Sequence, residues 1–142
     1  MRFMMLMIPK GYESAPPGAT PPADAVAAMM KYNESLRKAG VLIALDGLHP
    51  PSMGARVSFD GGKAKVTDGP FAEAKEVLGG YWMIQVKSKD EALEWAKRAP
   101  MSENEIIELR QVQDFADYPP DVQKAAEGFK ELQEQAGQNI RS

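Results

Sequence analysis

His49 lies in the run Asp46-Gly47-Leu48-His49-Pro50-Pro51 and is the only histidine in the chain, so it is the one imidazole that can exchange protons near neutral pH. Asp46, three residues earlier, offers a carboxylate that could orient it, and the pair could work as acid and base. Read without function, a histidine beside two prolines is an ordinary loop or cap residue. Asp68 is a second candidate partner. It precedes Gly69-Pro70-Phe71, where an aspartate also serves as a turn and helix cap with no chemistry. Arg110 could sit near a substrate anion, and Tyr81 and Glu73 could contact a ligand. The simpler readings of these three are a charge pair with Glu108, core packing, and the solvated side of a short helix.

Composition removes several other chemistries. With no cysteine there is no thiolate nucleophile and no zinc–thiolate site, and one histidine forbids a His-rich metal cage, so neither a metal nor a cofactor is expected. The net charge is −3, with Lys and Arg scattered among acidic neighbours, which argues against a nucleic-acid partner. The apolar run Phe3–Ile8, stopped by Pro9, is too short for a signal-peptide core, and no run approaches the roughly 20 residues of a membrane span. A cytoplasmic protein without a membrane partner is therefore expected. The length of 142 residues is enough for one domain to bury its own core.

Alternation and helical periodicity then give the elements that must hold these groups. Phe3–Ile8 reads as a strand apolar on both faces. Pro9–Pro22 holds five prolines and two glycines, which rules out regular structure and leaves a connector long enough to be a lid. Asp24–Ala39 is an amphipathic helix with Gly40 as its stop, and Val41–Leu45 is a second strand. Arg56–Phe59 and Lys63–Thr67 flank Asp60-Gly61-Gly62 as a hairpin, with Val57, Phe59, Ala64 and Val66 expected to turn inward. Pro70 suits the first position of a short helix running toward Leu78.

Gly79-Gly80 turns the chain into Tyr81–Val86, a strand apolar on both sides whose Tyr81 and Trp82 must point to opposite faces. Ser88-Lys89-Asp90-Glu91 fits a capping box for a helix ending before Pro100. Ile106–Val112 is a last strand. One further helix, from Asp121 to about Ala136, follows Pro119-Pro120, and fraying is expected from Gln138 onward.

This order is α+β, close to a ferredoxin-like split βαβ with an inserted hairpin and an extra C-terminal helix. The domain spans residues 1–112, with 113–142 as a C-terminal helical extension of it. Both helices of such a unit cover one sheet face. Strands that are apolar on both sides then imply a homodimer packed sheet to sheet, with a small-molecule ligand as the other possible partner.

The block Thr67-Asp68-Gly69-Pro70-Phe71-Ala72-Glu73-Ala74-Lys75-Glu76, with Gly40-Val41-Leu42, Gly47-Leu48-His49-Pro50, Gly80-Tyr81 and Glu108-Leu109-Arg110, closely resembles the YCII-related (YciI-like) family, specifically its DGPF subfamily. The likeness runs from about Met1 to Val112. It implies a dimeric α+β barrel. It also implies kinship with lactone isomerases and a dehydrochlorinase of hydroxylated aromatic rings. In the smaller members an acid–base histidine stands in the first helix, where this chain has Met29 and Met30, so that dyad does not carry over. Two functional readings follow. One is a cofactor-independent isomerase or lyase using His49 with Asp46 or Asp68. The other is a non-catalytic regulatory module, since DGPF relatives often accompany alternative sigma factors.

Overall fold

The computed structural model describes residues 1–138, in two compact units. The first, Met1–Gln111, is α+β. Its elements are β1 (Arg2–Ile8), α1 (Ala23–Lys38), β2 (Leu42–Gly47), β3 (Ala55–Asp60), β4 (Lys63–Asp68), β5 (Gly80–Gln85), α2 (Lys89–Lys97) and β6 (Ile106–Gln111). Four strands form an antiparallel sheet in the order β2-β5-β1-β6, and β3 and β4 form a separate two-stranded sheet. Because β5 is antiparallel to both β1 and β2, those two run parallel with β5 between them.

Period-two alternation assigns the two sides of the main sheet. Phe3 and Met5 of β1 and Trp82 and Ile84 of β5 point to one side and are buried with Tyr32 and Leu36 of α1 and Ala92 of α2. Tyr32 and Leu36 are one helical turn apart, which is why α1 presents both to the sheet. The Tyr32 ring stands edge-on to Trp82 at 5.4 Å. Its hydroxyl donates to the Trp95 carbonyl at 2.8 Å, tying α1 to α2. The other side carries Met4, Leu6 and Ile8 with Tyr81 and Met83, all half-buried. Both faces of β1 were expected to be buried, the second by a partner subunit; within this unit the Phe3 and Met5 side is the more deeply buried because both helices pack on it.

Helix ends follow local chemistry. Gly40 closes α1 in the left-handed region at φ 72°, behind Arg37 and Lys38 in the last turn. Ser88 accepts from the Glu91 N–H at 3.1 Å, and the Glu91 carboxylate accepts from the Lys87 N–H at 2.9 Å. The expected cap of α2 is therefore present, with its return bond one residue further out.

Three expectations are corrected. Gly61 and Gly62 adopt φ of 55° and 77°, the positive pair a two-residue hairpin turn requires. The hairpin they join is exposed on both faces, however. Val57, Phe59 and Val66 are 53%, 81% and 65% exposed, so the apolar series does not turn inward. Next, no helix follows Asp68. The chain from Pro70 to Gly79 is irregular, with one turn closed by the Ala74 N–H on the Phe71 carbonyl, and Asp68 is the last residue of β4. A helix that brief has too few internal hydrogen bonds to offset its nucleation. Finally, among the described residues the second unit, which begins at Val112, holds two α-helices, α3 (Pro120–Ala125) and α4 (Phe129–Gln138), rather than one. Gly128 at φ 90° breaks them apart. Residues 139–142, where fraying was expected, lie outside the described residues.

Candidate functional site

The site is built at the end of the sheet where β2 ends beside the start of β5. Gly47 and Gly80 are cross-strand partners there, and a Cβ on Gly80 would stand 2.8 Å from the Asp46 carbonyl oxygen. Glycine at position 80 therefore lets the two backbones close up. Gly79 donates its N–H to the Met7 carbonyl at 2.8 Å and accepts from the Leu48 N–H at 2.9 Å. The Gly79-Gly80 step thus ties β1 to the loop that carries His49.

Two cavities adjoin this junction and share Met7 and Gly47 in their walls. The first, of about 450 Å³, lies between the Gly47–His49 segment and the proline-rich connector. The connector supplies Pro9, Tyr12, Ala19, Thr20 and Pro21, and the opposite wall is Met7, Leu48, His49 and Gly79. Its lining is mainly apolar, and His49 is the one imidazole in it. Two side chains pin the connector down. The Tyr12 hydroxyl donates to the Leu48 carbonyl, and the Ser52 hydroxyl donates to the Ala15 carbonyl at 2.9 Å. Partial burial raises the Tyr12 phenol above its usual pKa, so it remains a donor at neutral pH.

The second cavity, of about 350 Å³, lies between α1 and the sheet, with Met29, Asn33, Leu45, Asp46 and Trp82 in its wall. The Trp82 indole N–H donates to the Asn33 side-chain oxygen at 2.7 Å, which fixes both groups. Asp46 is opposite Tyr81 in the β2–β5 ladder, and the Tyr81 hydroxyl donates to the Asp46 carboxylate at 2.7 Å. That hydrogen bond raises the Tyr81 pKa, with smaller contributions from desolvation and from the aspartate charge.

The sequence candidates are therefore distributed, not gathered. His49 lines one cavity and Asp46 the other, and the Asp46 carboxylate takes Tyr81 instead of the imidazole. Asp68 ends β4 opposite Ala55, exposed, and Glu73 is exposed on the irregular connector. Arg110 is on β6, at the far edge of the sheet from β2, roughly 14 Å away at three strand spacings. It pairs with Glu108 two residues along its own strand at 3.4 Å, not across strands. Tyr12, Asn33 and Met7 were not among the site candidates read from the sequence. Tyr12 sits in a connector that could be judged only by its prolines, and the other two read as ordinary helix and strand residues. Among the described residues, no group of three or more His, Asp or Glu side chains could hold a metal ion. No helix among them is long and apolar enough to cross a membrane.

A small α+β protein with antiparallel sheets and paired cavities at one sheet end is the class this geometry defines. The family model of the YCII-related domain matches residues 1–116, and the chain belongs to that family. A relative from Rhizobium meliloti (strain 1021), named Uncharacterized protein R00369, is 40% identical over 74 residues, which is 52% of this chain and 56% of the relative. The chain thus matches about half the length of that curated relative.

Proposed function

We propose that this protein is a DGPF-type member of the YCII-related family that works as a homodimer and binds a small aromatic or lactone-like molecule in the His49 cavity. There His49 moves a proton in a cofactor-independent isomerisation or elimination. The observation that carries this reading is an apolar cavity of about 450 Å³ with one imidazole in its wall. That volume lies in the range of small-molecule sites, and an apolar wall with a single imidazole suits a largely hydrophobic substrate with one acidic C–H. In an isomerisation the imidazole would take that proton and return it to another carbon. In an elimination it would take the proton as a leaving group departs from the neighbouring carbon.

The strand order β2-β5-β1-β6 supports a ferredoxin-like unit with β3–β4 inserted. The half-buried apolar side of the main sheet supports the sheet-to-sheet homodimer. Solvent deuterium wash-in tests the chemistry. A butenolide or a phenol-ring ketone incubated with the protein in D2O should gain deuterium at the acidic carbon, and His49→Gln should slow this by about 100-fold or more. No exchange above buffer across such carbon acids would defeat the catalytic reading.

One observation favours the regulatory reading instead. Asp46 is committed to Tyr81, and His49 has no hydrogen-bond partner among the described residues to fix its tautomer. A binding module needs no such partner. The single histidine gives one imidazole resonance set, so NMR separates the readings. A ligand that shifts the His49 Hε1 signal without any turnover supports the module.

A further inference from the structure

Every residue of the β3–β4 hairpin is exposed, and among the described residues its strands pair only with each other. The cross-strand pairs Val57–Val66 and Phe59–Ala64 put four apolar side chains on one side, with Ala55–Asp68 on the same side at the root. Arg56–Thr67, Ser58–Lys65 and Asp60–Lys63 make up the other. An isolated two-stranded hairpin is marginal in water, and this one shows a phenylalanine to solvent near its tip.

Its root is nevertheless built firmly. The Gly69 N–H donates to the Gly54 carbonyl at 2.9 Å, and the Arg56 guanidinium lies 4.0 Å over the Phe71 ring. A Cβ on Gly69 would fall 1.7 Å from the Pro51 carbonyl oxygen, so the base of the hairpin is seated against the Pro51–Met53 turn. With six residues per strand, the arm reaches roughly 20 Å beyond that root.

We infer that the hairpin is an arm that crosses to a second copy of this chain and seats Val57, Phe59, Ala64 and Val66 against it. This rests on the homodimer proposed above and adds a second contact to it. Charge favours a second copy. The arm carries Arg56, Lys63 and Lys65 against Asp60 and Asp68, and is net positive on a chain whose net charge is −3, so the remainder of any other copy is net acidic. Symmetry favours it as well. A two-fold axis covers both arms in one closed assembly, which leaves no free apolar strip to recruit further copies.

A benzophenone amino acid placed at position 59 tests this, in an equal mixture of ¹⁴N- and ¹⁵N-labelled full-length protein. Irradiation should give cross-linked peptides with one light and one heavy partner, and Phe59→Asp should raise the concentration at which the dimer dissociates by about tenfold or more. Lys63→Glu, a tip substitution that leaves the apolar strip intact, should weaken the dimer less. A dimer by light scattering with only same-copy cross-links overturns the arm and leaves the sheet-to-sheet dimer standing. A monomer at micromolar concentration overturns both.

Discussion

Tyr32 makes the hydrogen bond that joins α1 to α2, and burial pushes its phenol up to about 12, with Arg98 partly offsetting the shift. Tyr32→Phe leaves the Trp95 carbonyl without this donor, and urea denaturation should show a loss of about 1–3 kcal/mol. The folded chain holds this proton more tightly than the unfolded chain, whose tyrosines titrate near 10. Its contribution is therefore intact below pH 10 and fades as pH climbs toward 12, and the phenylalanine variant should lose stability less steeply across that window. At this scale the sequence was legible where the partner is close along the chain. Ser88 and Glu91 declare their cap because the donors lie within one turn. Tyr81 and Asp46 are 35 residues apart and meet only through strand register.

Elements were legible wherever one periodic face had a core to meet. The two helices of the first unit and the four strands of its main sheet satisfy that condition. The segment after Asp68 does not, because it has to lead from the hairpin root back to β5, and it spans that distance without helix. Gly69 therefore acts as a spacer at the hairpin root rather than as part of a helix cap. Gly69→Ala forces a methyl onto the Pro51 carbonyl and should cost about 3 kcal/mol or more, seen as a lower urea midpoint with an unchanged m-value. The break between α3 and α4 was hidden because the apolar spacing continues from Val122 to Leu132 across Gly128, whose positive φ decides the matter.

For the whole molecule, the family and the α+β class could be read from the signature block and the order of elements. The distribution of the polar groups could not, since cavities arise where distant loops meet. The proposed sheet-to-sheet homodimer makes its own prediction. Leu6 sits half-buried on the side of β1 away from α1 and α2, opposite Tyr81 and Glu108 in the neighbouring strands. Leu6→Asp would put an unpaired charge in the centre of the dimer contact, and light scattering should show a monomer with native far-UV circular dichroism. A dimer of undiminished affinity would remove this face from the assembly.

Strand β2 contains one residue more than its neighbour needs: Leu42 faces Ile84, Ala44 faces Met83, and Ile43 is left over. Plain alternation from Leu42 would place Asp46 on the same side as Leu42, beneath α1, and Leu45 opposite Tyr81. The surplus isoleucine reverses that phase, so the tyrosine meets a carboxylate and the leucine goes to the helix side. A chain lacking Ile43 would keep the same pairs on a regular ladder, and one lacking Ala44 would differ only in setting Ile43 opposite Met83. In this strand the chemistry is set by residue count as much as by residue type.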